Sequence, residues 1–351
     1  MSARRLEYID VAKGIGMLAI MVGHMGFVGA DGANVVRPLV SQFHVPVFFL
    51  IAGLFLSNKR PFGEFVRGKA MRLLVPFAIT CVVLGVAVCA CKLATGATRP
   101  PTIWVGVSWF AKAALWGAGI PHPTLPPGVG YIGAIWFLEA LFVALVEARL
   151  LIMARIGDLA RALVAALLAA LALATQHVIL LPCNVQTGLF GGLYVIAGYL
   201  FRQHVGLEKF PGPMGLLALC VCCAVGYAHC LVVSVVTPST TYGVLGIAVS
   251  LCTSYLVLCV ANLLWGHRIP GVAFLRFFGE RSLTVLCVHL CCLDLGFRLV
   301  VVRGLLGVQA SRNVVCLVDL VSEVILCCVL AIALPWAWGN VRAAAKGAMR
   351  S

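Results

Sequence analysis

The stretch YIDVAKGIGMLAIMVGHMG, from Tyr8 to Gly26, has the look of a membrane span with too much chemistry in it. Its length is close to the ~20 apolar residues a helix needs to cross a bilayer, yet it contains Asp10, Lys13 and His24. Ionisable side chains are costly in hydrocarbon, so each one marks a functional site by default. On a helix turning about 100° per residue, Asp10, Lys13, Met17, Met21 and His24 fall along one face. Ala12, Gly16, Ala19, Gly23 and Gly26 make a second stripe, small enough for a neighbouring helix to approach closely. Lys13 and His24 are separated by about three turns, roughly 16 Å of rise. An interfacial Asp10–Lys13 pair with a structural bundle histidine would give the same spacing, and spacing alone leaves both readings open. Arg4, Arg5 and the small residues near Ala30 imitate a signal peptide, but a signal core has no such ionisable series. The segment is therefore expected to be a retained first span.

The rest of the chain agrees that its main solvent is lipid. Of 351 residues, 62% are hydrophobic and only 11% charged, and the mean hydropathy is +1.06. Soluble domains carry about 25% charged residues. This composition excludes a soluble enzyme, a disordered chain, a coiled coil and a secreted disulfide scaffold. Apolar runs of span length predict an all-α polytopic protein with about ten transmembrane helices in a single bundle: 9–29, 39–57, 73–93, 131–152, 162–182, 186–201, 213–235, 242–264, 282–300 and 314–337. The Trp-rich segment 103–118 carries Lys112 and suits an interfacial or re-entrant helix. With no repeat, low-complexity tract or long linker, residues 1–351 are expected to form one membrane-embedded domain.

The formal net charge of +14 supports that count. With ten spans and a cytoplasmic start, 18 of the 26 Lys and Arg residues fall on inner segments and 7 on outer ones, and Lys13 lies inside the first span. An eleventh span at 103–118 would invert every later loop, so the positive-inside rule favours an even number and two cytoplasmic termini. The basic balance thus reads as orientation, with no nucleic-acid partner implied. The sixteen cysteines lie mostly in apolar runs and behave as small hydrophobes. The C-x-x-C at Cys220–Cys223 sits in the apolar run LLALCVCCAVGYAHC and has no second pair at zinc spacing, so no metal site is expected.

Other residues have both a functional and a bland reading. His44, in FHVPVFFLIAGLFL (43–56), falls at a depth similar to His24 and could meet it near the outer face, or cap its helix. Trp136 could stack on a sugar or belong to an aromatic belt, and Glu139, one turn on, could orient a histidine. His289 lies mid-span. Asp319 and Glu323 are one turn apart; they could line an acceptor cavity, but are rather expected to pair with Arg298 or Arg312. His122, in PHPTLPPG, reads as a loop residue.

IDVAKGIGMLAIMVGH (9–24) followed by FHVPVFFLIAGLFL resembles the acyltransferase 3 family of integral membrane acetyltransferases, and within it the fucose-acetylase-like branch. The family pattern pairs a basic residue with a histidine ten positions beyond the gap's start, here Lys13 and His24, and many members have Arg at the first position. Further blocks match in order: Lys69-x-x-Arg72 followed by LLVP, then Trp136-Phe137-Leu138, then Ser282-Leu283 with His289. The resemblance implies a ten-span core and a cytoplasmic acyl-CoA donor, usually acetyl-CoA, used as co-substrate without a permanently bound cofactor. It also implies an acceptor hydroxyl on an envelope or lipid-linked glycan, at a plasma (inner) membrane. His24 would serve as general base or transient acyl carrier, alongside Asp10, Lys13 and His44. Lys69 and Arg72, with Lys13, would hold the phosphate-bearing end of CoA. Trp136, Glu139 and His289 would face the acceptor. A transporter or flippase without acyl chemistry, or a sensor built on the same scaffold, would share the spans and buried polar groups.

Overall fold

A computed structural model describes residues 6–29, 32–94, 103–294 and 311–348. The chain is mostly helical. In order, its elements are α1 (Glu7–His24), α2 (Arg37–Val40), α3 (Pro46–Leu54), α4 (Phe62–Ala94), α5 (Ile103–Trp116) and a 3-10 turn at Gly133–Ile135. Next come α6 (Trp136–Met153), α7 (Asp158–Thr175), α8 (Val185–His204) and α9 (Pro213–Ala228). A two-stranded hairpin of β1 (Val233–Ser234) and β2 (Ser239–Thr240) precedes α10 (Val244–Gly266), α11 (Val272–Glu280), α12 (Ser282–Asp294) and α13 (Arg312–Ala348). Four of the described helices are long and apolar enough to cross a membrane: Phe62–Ala87, Asp158–Thr175, Val244–Gly266 and Arg312–Leu334.

Helix α7 illustrates how the bundle meets its surroundings. Leu159, Leu163, Leu167 and Leu171 form an exposed stripe at four-residue spacing, while Ala165, Ala169 and Ala172 are buried. The large apolar residues face out and the small ones face in, the reverse of a soluble helix but the arrangement expected where lipid is the solvent. Helix α8 is the packing centre. A Cβ on its Gly198 would lie 2.1 Å from the Leu50 carbonyl oxygen of α3, and one on Gly53 of α3 would lie 2.0 Å from the Val195 oxygen of α8. These helices touch backbone to backbone, which only glycine allows. Their approach seats Phe49 against Phe137 of α6, with ring centres 5.3 Å apart.

Several expected spans have different bounds. The stretch 39–57 is two helical pieces, because Pro46 has no N–H to offer the preceding turn and the ladder breaks at 41–45. The span expected to begin at residue 73 starts at Phe62, so Arg67, Lys69 and Arg72 lie on helical turns and not in a loop. The 213–235 stretch ends as helix at Ala228, where the chain turns through Cys230 (φ 51°) into the hairpin. Segment 103–118 contains the 14-residue helix α5, about 21 Å long and short of the ~30 Å hydrocarbon thickness.

The inner loop expected at 265–281 contains α11, which crosses α1 at very close range. A Cβ on Gly279 would lie 1.7 Å from the Asp10 oxygen, and one on Gly14 would lie 2.0 Å from the Leu275 oxygen. Arg276 of α11 bonds to Glu7 of α1 at 3.2 Å and to Glu280 at 2.9 Å. This crossing fixes the rotation of α1, and with it the direction of the polar face. Gly279→Val is expected to lower unfolding stability by about 3 kcal/mol, the upper range for overpacking a tight contact. A detergent melt of the purified variant measures it.

Candidate active site

The polar face of α1 divides between two ends of the bundle. At the first, the buried Asp10 carboxylate accepts a hydrogen bond from Lys13 Nζ at 3.1 Å. Lys13 lies at the edge of a cavity of about 260 Å³ between α1, α3, α6 and α12. Apart from Lys13 and Ser282, every lining residue is apolar, including Met17 and Ile20 of α1, Phe48 of α3, Phe137 of α6 and Leu286 of α12. The small stripe of α1 makes room for this arrangement: a Cβ on Gly16 would be 2.8 Å from the Phe48 ring.

Ile20 precedes His24 by one turn and Leu286 precedes His289 by less than one, so the cavity ends about 5 Å of helix rise below both histidines. Their rings lie side by side, with centroids 5.3 Å apart and planes inclined by 47°. His24 is the last residue of α1 and is exposed, whereas His289 is fully buried. The Nδ1 of His289 is hydrogen-bonded to Glu323 Oε1 of α13, and its Nε2 has no hydrogen-bond partner among the described residues. The partner the structure describes for Glu323 is His289, where Arg298 or Arg312 had been expected. Asp319 is buried one turn away, and Arg298 lies outside the described residues.

The chain after α1 is fastened to the same helix. Asn313 of α13 donates to the Val28 carbonyl at 2.9 Å and accepts from the Val28 N–H at 3.0 Å. The Arg312 guanidinium lies against Gly26. This double amide clamp holds α1 and α13 at one level, so that His24 and Glu323 bracket His289. His44 is positioned by its own chain: its Nδ1 lies 2.7 Å from the Val40 carbonyl, which can only accept, so the proton is on Nδ1 and Nε2 is the free acceptor. The ring beside His24 is that of His289, in addition to the meeting with His44 that the sequence left open.

Trp136 and Glu139 belong to a separate, buried cluster. The Trp136 indole is 5% exposed, packed against Phe137 and Gly119 and not placed in a surface belt. Glu139, which could have oriented a histidine, accepts instead from Asn184 Nδ2 at 3.0 Å. The same amide reaches the carbonyls of Gly117 at 2.6 Å and Trp136 at 3.3 Å. Asn184 precedes α8 in a left-handed conformation (φ 50°), which asparagine tolerates better than most residues. Nothing in the sequence distinguished it from an ordinary turn residue. In the loop beyond, His122 bonds to Thr124 at 2.8 Å, and partial burial together with neighbouring His177 lowers its pKa.

The Lys13 end of the bundle is strongly basic. Lys59, Arg60, Arg67 and Arg72 are exposed, and Lys69 is half-buried with its ammonium 5.6 Å from the Phe65 ring centre. Sequence reasoning counted Arg149 only as an inner charge, but it anchors this region. It is 2% exposed, donates to Asn58 and to the Arg60 carbonyl (2.5 Å), and lies 5.5 Å from the centre of the same Phe65 ring. Such a cluster can hold a polyanion by charge-assisted hydrogen bonds. Among the described residues, no three His, Cys, Asp or Glu side chains converge as a metal site.

The bundle thus presents a cationic end, an apolar cavity and a histidine pair. Residues 6–338 match the sequence model of the acyltransferase 3 family, described as an acyltransferase domain. The match does not single out a branch of the family. No curated protein and no solved structure matches the chain. A family match over nearly the whole chain, in a protein with membrane-length apolar helices, places it in the acyltransferase 3 family of membrane acyltransferases.

Proposed function

We propose that the protein transfers an acetyl group from acetyl-CoA, bound at the basic end, to a hydroxyl of an envelope or lipid-linked sugar at the His24 end. The observation that carries this reading is the apolar cavity leading from Lys13 to within about one turn of the His24–His289 pair. The apolar lining of the cavity suits the acyl group and the methylene stretches next to the thioester, while Lys69, Arg72 and Lys13 suit the phosphates. In this reading about ten spans cross the plasma membrane with both termini in the cytoplasm, so the basic end faces the CoA pool.

The chemistry requires one proton and one acyl group to exchange places. The acceptor O–H gives its proton to His24 as its oxygen attacks the thioester carbonyl. The C–O bond forms, the C–S bond breaks, and the proton leaves on the CoA thiolate. If His24 first carries the acyl group, a C–N bond replaces C–S and is then exchanged for C–O, with the same overall balance. His44 Nε2, free to accept, suits orientation of the sugar hydroxyl. The test uses purified protein in proteoliposomes with acetyl-CoA and an extract of lipid-linked glycans. Free CoA should appear only when the extract is present. Movement of glycan across the bilayer without CoA release would overturn the proposal in favour of transport.

A further inference from the structure

We infer that Glu323 and His289 form a positioning pair that sets the tautomer of His24, an inference that rests on the acyl-transfer reading above. The carboxylate of Glu323 can only accept, so the His289 proton sits on Nδ1 and its Nε2 carries a lone pair. That lone pair is fully buried and has no hydrogen-bond partner among the described residues. A buried polar atom left in this way is costly unless its partner arrives during function. The ring next to it is His24, and 5.3 Å between centroids leaves room for a nitrogen–nitrogen hydrogen bond after a small ring rotation, or for one bridging water. His289 is wholly enclosed and cannot itself reach an acceptor, whereas His24 is exposed.

Once His289 Nε2 accepts from one nitrogen of His24, the other nitrogen carries the lone pair that must meet the hydroxyl or the thioester. The proton His24 takes from the acceptor leaves an imidazolium that the Glu323 carboxylate stabilises through His289, and the thiolate then removes it. This is the role a buried carboxylate plays behind a catalytic histidine on unrelated folds. The Asn313–Val28 clamp supports it, because it keeps α13 and the end of α1 in register.

The experiment compares wild type, Glu323→Gln and Glu323→Asp in proteoliposomes. Glutamine keeps the shape and removes the charge, so kcat should fall by about 10²-fold or more while KM for acetyl-CoA stays within about two-fold. Aspartate should restore part of kcat. Nitrogen-15 NMR of labelled histidines, read without substrate, should find His289 protonated at Nδ1 in wild type, with His24 changing tautomer population in Glu323→Gln. Wild-type kcat in Glu323→Gln, or unchanged histidine signals, overturns the inference. So does a fall in kcat matched by lost thermal stability in both variants, which would mark a packing role. Absence of CoA release by wild type would instead overturn acyl transfer itself, and the NMR arm would still decide whether the pair sets the His24 tautomer.

Discussion

Replacing His24 with alanine is expected to reduce glycan O-acetylation about 10⁴-fold, the upper end of the range for loss of a general base, with little change in folding. The small stability effect follows from position. His24 is the exposed last residue of α1, beyond the packed stripe and the α11 crossing, so its removal opens no cavity in the core. The large activity effect follows from geometry. His24 is the exposed member of the pair and lies one turn beyond the end of the apolar cavity at Ile20, and the buried His289 beside it cannot take its place. Acetyl-CoA should still bind, because the cationic site lies about three turns away at the other end of α1. Radiolabelled acetyl transfer to extracted glycan, measured alongside equilibrium acetyl-CoA binding, checks both halves. Near wild-type transfer by the variant would remove His24 from the chemistry.

The second large effect is expected at Arg149, which touches no substrate in the proposed scheme. Arg149→Met keeps the side chain's bulk against Phe65 and removes the donors to Asn58 and the Arg60 carbonyl. Breaking a buried, charged hydrogen-bond set costs about 3 kcal/mol, so thermal stability should drop clearly. The segment carrying Lys59 and Arg60 then loses its tether, and KM for acetyl-CoA should rise about ten-fold, equivalent to about 1.4 kcal/mol, with kcat nearly unchanged. Such a split would separate a donor-site defect from damage at the histidine pair. An unchanged KM in a folded variant would mean that the basic segment holds its shape without Arg149.

Part of this site can be read from single residues. Lys13 and His24 stand out because ionisable groups are few in a chain that is 11% charged, and helical geometry places them on one face about 16 Å apart. The Lys69-x-x-Arg72 block stands out only through its resemblance to the acyltransferase 3 pattern. Other members are silent in sequence. Glu323 resembled a residue seeking an arginine, Arg149 resembled one more positive-inside charge, and Asn184 resembled a turn. Each acquires its role only from a residue far away in the chain: His289, Asn58 and Glu139 respectively.

Composition, periodicity and charge order in the chain by itself determined that the protein is helical, lives in lipid, and has Asp10, Lys13 and His24 along one face of α1. Those are properties of short stretches, because burial in hydrocarbon acts on each helix separately. Only the tertiary structure decided which polar groups meet. The α11 crossing at Gly14 and Gly279 sets how α1 is rotated, and the Asn313 clamp sets how far α13 slides along it. Rotation and sliding of packed helices depend on contacts between residues far apart in the chain. A turn of α1 or a slip of α13 would leave every span as apolar as before, while separating His24, His289 and Glu323.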